Sequence, residues 1–190
     1  MAFQLLFGFL PWILLNALFG KTAAEMLISI LVASAVFFAL EWKSLRKGFI
    51  LSWGTAFFLI FIFIFDVILQ NSWVIHHTPF LSSIILATIA WISLLIGRPF
   101  TLQYARQQVA QHLWNKPGFM KVNQMITAIW GSIFLASAAW QFVPFGDDLS
   151  GKILHQILGY GTTLLGIWIT IKFPNWYSRK QQKTRKTLGE

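Results

Sequence analysis

Six apolar stretches alternate along this chain with short strips in which positive charge collects, and that alternation decides what it can fold into. The stretches are Phe3–Phe19, Thr22–Leu40, Gly48–Leu69, Pro79–Ile96, Val122–Val143 and Ile153–Phe173. A helix needs about 20 apolar residues to cross the hydrocarbon core of a bilayer. The apolar positions run all the way round each stretch, as lipid-facing helices require, and the runs are too long for strands. Of the 15 Lys and Arg residues, 13 fall on one side of this alternation: Lys43, Arg46, Lys47; Arg98, Arg106, Lys116, Lys121; and Lys172, Arg179, Lys180, Lys183, Arg185, Lys186. The intervening loops hold only Lys21 and Lys152, together with Asp147 and Asp148. Lys and Arg stay on the cytoplasmic side of a membrane. The chain is therefore expected to be an all-α, polytopic membrane protein of six transmembrane helices with both termini inside. Residues 1–178 form its single transmembrane domain and 179–190 a basic cytoplasmic tail.

Composition supports a bilayer as the solvent. Charged residues are 11% of the chain, against about 25% in soluble domains. The net charge of +9 would suggest nucleic acid in a soluble module. Here the charge lies in strips between apolar runs, which predicts anionic lipid head groups at the cytoplasmic face as the partner and no nucleic acid. The absence of cysteine excludes disulfides, thiolate metal sites and Cys nucleophiles. The first stretch lacks a basic n-region and is followed by Lys21, so it is expected to stay as a spanning helix. Trp42, Trp73, Trp114, Trp140 and Trp176 fall near segment ends, at head-group level, whereas Trp53, Trp91, Trp130 and Trp168 lie deeper.

The one long connection reads GRPFTLQYARQQVAQHLWNKPG. Pro99 suits a helix start and Pro117-Gly118 a stop. Between them Leu102, Ala105, Val109 and Leu113 recur at helical spacing, opposite Gln103, Arg106, Gln107 and Gln111. This predicts an amphipathic cytoplasmic helix over 101–114, lying either on the inner membrane surface or on the bundle.

Ionisable side chains within apolar segments are costly, and so are candidates for function. Asp66, in FIFIFDVILQ, is a proton- or cation-binding carboxylate or else a residue close enough to the interface to reach water or a neighbouring helix end. Glu25 lies one turn after Lys21 and suits an interfacial pair. His155 falls early in the sixth stretch, and His76-His77 in the loop before the fourth. Glu25, Asp66 and His155 form a candidate transport or proton site. Adjacent histidines lack the spacing of a metal motif, and neither a metal nor a cofactor is predicted. Glu41 is accounted for by charge balance with the strip Lys43–Lys47. Arg98, Tyr104 and Arg106 are candidate contacts to lipid phosphate.

Other patterns fail as motifs. Gly159, Gly161 and Gly166 have the wrong spacing for a phosphate loop and suit close helix contact, as do Ser132 with Ala136 and Thr162 with Gly166. Asn16 and Gln141 can hydrogen-bond across helices. There is no nucleophile elbow and no carboxylate pair for glycoside chemistry, so no enzyme is expected.

Five segments in this order carry a resemblance: FGFLPWILLN, the strip WKSLRK, WVIHHTPF, IGRPF, and KVNQMITAIWGSIFLASAAW. In architecture the chain resembles the bacterial septation protein A family, small inner-membrane proteins linked to envelope integrity and division. The stretch TLQYARQQVAQHLW is longer than that family's connection. The resemblance implies a non-enzymatic protein of the bacterial inner membrane, acting in septation or envelope maintenance through contacts with lipid or other inner-membrane envelope proteins. It brings no catalytic residues. The alternative reading is a small transporter or channel for protons, ions or a small solute, using Asp66 with Glu25 or His155. The oligomeric state is open.

Overall fold

The computed structural model describes residues 2–18, 22–143, 161–177 and 179–180, and these are helical almost throughout. In chain order the helices are α1 (Ala2–Leu18), α2 (Ala23–Arg46), α3 (Ile50–Ile62), α4 (Ser72–Leu95), α5 (Phe100–Arg106), α6 (Pro117–Trp140) and α7 (161–177). A π-helical turn, Phe63–Ile68, continues α3. Four helical stretches are long and apolar enough to cross a membrane: Ala24–Arg46, Ile50–Ile68, Ser72–Leu95 and Pro117–Trp140. α1 is apolar but shorter. Of the sixth expected span, 153–160 lies outside the described residues.

The faces of α3 show why the bundle belongs in lipid. Ser52, Thr55, Leu59, Ile62 and Asp66 are buried, recurring at alternating steps of three and four. Trp53, Phe57, Ile60 and Ile64 point outward, Phe57 at 66% exposure. Large apolar side chains point outward on α2 and α4 as well, a surface that is costly in water and favourable in hydrocarbon. Inside, α1 stacks Trp12 on Phe58 at 4.7 Å between ring centroids and sets Phe9 against Trp130 at 4.5 Å. Small residues let the helices close up. Gly131 lies under Trp91, and Gly166 of α7 lies under Trp130, whose indole donates to Thr170 at 2.9 Å.

Several boundaries differ from expectation. α4 begins at Ser72 rather than at Pro79, because Asn71 caps it by accepting from the Val74 N–H at 3.1 Å. Pro79 lies inside the helix and removes one backbone donor there. His76 and His77 are therefore helical, their Nδ1 atoms bonded to the carbonyls of Ser72 and Trp73, and not in a loop. Pro117-Gly118 starts α6 instead of ending a helix, with Pro117 in the first turn, where its missing N–H costs nothing.

The amphipathic helix expected over 101–114 stops at Arg106. Phe100, Thr101, Leu102, Tyr104 and Ala105 are all buried, so α5 is packed into the bundle and leaves no apolar stripe for lipid. Beyond it the chain tightens through i→i+3 bonds from Gln107 and Gln108 and turns back in a 3₁₀ turn, Gln111–Leu113. The Trp114 indole donates to the Val109 carbonyl at 2.9 Å, and its ring lies under the Arg106 guanidinium, 5.2 Å away.

Candidate functional site

The start of α3 lies against α5, since the Ile50 N–H donates to the Gln103 side chain at 2.8 Å. The α2–α3 turn, the α4–α5 turn and α5 thus occupy one end of the bundle, which brings Lys43, Arg46, Lys47 and Arg98 to the same end. The turn between the π-helix and α4 is at the other. Two buried carboxylates mark these ends.

At the far end, Asp66 is 1% exposed and lies in the π-helical turn. It continues the inward stripe of α3 one turn beyond Ile62. Thr78 Oγ1 donates to its Oδ2 at 3.0 Å, while Oδ1 is buried without a hydrogen-bond partner. The chain leaves this turn through Gln70, whose φ of +47° lies in the left-handed region. Single π-turns and positive φ at a non-glycine residue cost energy, and tend to occur where function requires them. The carboxylate is enclosed and does not reach water; what it reaches is the neighbouring helix, at Thr78 in the second turn of α4.

At the basic end, Glu41 is 3% exposed. Its Oε2 accepts from Ser52 at 2.6 Å and from the Tyr104 hydroxyl at 3.1 Å. Charge balance with Lys43–Lys47 therefore does not explain it: the carboxylate faces inward, and its partners are hydroxyls. Burial, reinforced by the carboxylate beside it, pushes the Tyr104 phenol well above its usual range. Gly8 of α1 leaves room for that phenol. A Cβ there would lie 2.8 Å from the hydroxyl oxygen.

A row of polar groups, a ladder bonded in short sets, lies between the two ends. On α4, Ser82 follows Thr78 by one turn and meets Asn16 of α1, whose amide donates to its Oγ at 3.2 Å. The same amide donates to the Trp12 carbonyl at 2.8 Å. The Trp12 indole donates to Thr55 Oγ1 at 2.8 Å. Thr55 stands three residues from Ser52 on α3, and Ser52 holds Glu41. The stripe Gly8, Trp12, Asn16 on α1, one residue per turn, thus faces the whole ladder. Asp66 is fourteen residues beyond Ser52, so the ladder spans about 20 Å, most of a hydrocarbon core.

The remaining candidates are dispersed. Glu25 is exposed and completes a capping box at the start of α2, accepting from the Thr22 N–H at 3.0 Å. Asp66 has Thr78 as its hydrogen-bond partner, not Glu25. His155 lies outside the described residues. Tyr104 is enclosed and bonded to Glu41, so it is not a lipid contact. Arg98 is exposed, and Arg106 is half-buried over Trp114 with its Nε unpartnered. Among the described residues no three His, Cys, Asp or Glu side chains converge on a metal site. No protein-family model, curated protein or solved structure matches the chain.

Proposed function

We propose that this protein is a polytopic membrane protein that passes protons or a small monovalent cation across the bilayer, with Asp66 as the group that holds the ion. The observation that carries this reading is the Asp66 carboxylate, enclosed within the bundle with one oxygen bonded to Thr78 and the other free. A charged side chain costs about 3 kcal/mol at the bilayer centre, and less towards the outer face where Asp66 lies. That cost brings no benefit to packing that Asn would not also give. It has a use where the carboxylate must gain and lose a positive charge.

The positive strips support a cytoplasmic position for the basic end of the bundle. α1 runs from that end outward, which puts the N-terminus inside and Asp66 near the outer face. The bacterial inner membrane is the membrane this orientation and the family resemblance suggest. Neither carboxylate is paired as an acid–base couple at a pocket, and no catalytic role is proposed.

The second reading, a septation or envelope protein acting by contact, is favoured by Ser132 and Ala136. They form an outward-facing small-residue step on α6 suited to a close-packed partner helix. The two readings separate in reconstituted vesicles. With an imposed ion gradient and a trapped pH-sensitive or sodium-sensitive dye, wild-type protein should pass one of the two ions, and Asp66→Asn should reduce flux at least tenfold. Flux through wild-type vesicles no greater than through empty ones rejects the transport reading. A helix-face change, Ala136→Phe, should leave flux intact and would disturb only a contact protein.

A further inference from the structure

The two buried carboxylates and the ladder between them carry a more specific inference, which rests on Asp66 being the ion-holding group. We infer that the ion is the proton, that Glu41 is its second binding group at the basic end, and that the Trp12–Thr55 hydrogen bond is the closed gate between them.

The chemistry of the ladder selects the proton. A hard metal cation needs several oxygen ligands converging on one point. Asp66 has a single hydroxyl neighbour, and Glu41 shares one oxygen between two hydroxyls. Both arrangements suit a group that is alternately a carboxylate and a neutral acid. Between them the polar groups form short bonded sets, Ser82 with Asn16 at 3.2 Å, Trp12 with Thr55 at 2.8 Å and Ser52 with Glu41 at 2.6 Å, and one helical turn separates Thr78 from Ser82 and Ser52 from Thr55. A proton needs only a chain of groups able both to accept and to donate, together with water.

Trp12 breaks that chain. An indole N–H donates and has no lone pair to accept with, so a proton cannot be relayed through it. Thr55 donates its own hydrogen to the Leu51 carbonyl at 2.8 Å, and its oxygen is occupied by Trp12. The ring itself is stacked on Phe58 and is 3% exposed. With this bond made, the outer half (Asp66, Thr78, Ser82, Asn16) and the inner half (Thr55, Ser52, Glu41) are separate. Movement of the indole off Thr55 lets water join them. A proton then leaves the Asp66 carboxyl, passes through that water, and converts the Glu41 carboxylate to the neutral acid. One positive charge has moved inward, and Asp66 is left as a carboxylate ready for another.

The test is proton flux into vesicles under an inward pH gradient, with wild type, Asp66→Asn, Glu41→Gln and Trp12→Phe, each first shown to be monodisperse and to melt cooperatively. Asp66→Asn and Glu41→Gln should each reduce flux at least tenfold. Trp12→Phe keeps the stacked ring but loses the N–H, and should raise flux severalfold. If Asp66→Asn abolishes proton flux and Glu41→Gln does not, the second site is overturned while the transport reading stands. Asp66-dependent flux of sodium rather than protons has the same meaning. If Trp12→Phe leaves flux unchanged or lowers it, the gate is overturned. If wild type passes no ion, both readings fall. Should Glu41→Gln not fold, wild-type protein treated with a hydrophobic carbodiimide gives the answer by mass spectrometry. Loss of flux that follows modification of Glu41 while Asp66 is unmodified supports the inference, and full modification of Glu41 without loss overturns it.

Discussion

The Tyr104 hydroxyl reaches Glu41 from 63 positions away in sequence, at 3.1 Å, and does so through the space left by the missing side chain of Gly8. Three helices and α5 therefore agree on the placement of one carboxylate. Bundle packing and the buried polar site are not separable here, since the close approach of α1 is what encloses the phenol.

Gly8→Ala should destabilise the protein by about 1–3 kcal/mol, the usual cost of overpacking. The new methyl would fall 2.8 Å from the Tyr104 hydroxyl and 3.0 Å from Leu51 Cδ2. Relief requires the phenol to move away from Glu41. Tyr104→Phe removes the clashing oxygen, so the double variant should lose less stability than the two single losses combined. Thermal unfolding in detergent for all four proteins measures the coupling, and simple additivity would mean that Gly8 and Tyr104 do not share this contact.

Stability should also fall at alkaline pH through Tyr104. The folded state holds the phenol neutral above its ordinary range, first by burial and then by the Glu41 carboxylate. An unfolded tyrosine ionises near pH 10. Above that pH the unfolded chain has released a proton that the folded one still binds, so unfolding becomes easier as pH rises. Below pH 10 the contribution of Tyr104 is complete and flat. A melting series from pH 8 to 11 should show the decline in wild type, and a shallower one in Tyr104→Phe.

Thr78→Val should remove the one side-chain hydrogen bond that Asp66 makes among the described residues, while keeping the shape of the side chain. Leaving a buried acceptor without its donor costs about 1–3 kcal/mol, more where the group is charged. Thr78→Ser restores the hydroxyl and should recover most of the loss. Unfolding midpoints of the two variants decide this, and equal midpoints would show that Thr78 contributes only volume at this level of the bundle.

The long helices were legible because apolar length dominates every competing signal in a membrane. The two carboxylates were legible only in part. Asp66 stood out as a charge in an apolar run, but its partner lies beyond the Gln70 turn, and no local pattern names Thr78. Glu41 was misread because Lys43, Arg46 and Lys47 supply an obvious local balance. A signal was nevertheless present: Met26, Ile30, Ala33, Phe37, Glu41 and Ser44 are buried at steps of three and four along α2, a stripe that carries Glu41 inward with the phenylalanine before it. The helix expected over 101–114 failed for a tertiary reason. Its periodicity is real as far as Arg106, but the apolar face it measured is used by α6 and the Phe9 cluster rather than by lipid, and the Trp114–Val109 bond then folds the rest back.

Because the chain has no cysteine, single introduced thiols report topology and the state of the ladder without background. Thr22 and Lys47 flank α2 and are both exposed. Thr22→Cys and Lys47→Cys should therefore react with a membrane-impermeant maleimide from opposite sides, and on the proposed orientation Lys47→Cys reacts only after the vesicle is opened. Thr55→Cys is the informative probe of the interior. Thr55 is enclosed beneath Trp12, so its thiol should resist the reagent from either side. Trp12→Ala in the same background removes the ring and should make position 55 reactive at least tenfold faster. Rapid labelling of Thr55→Cys with Trp12 still present would mean that water already crosses this level and that the indole closes nothing.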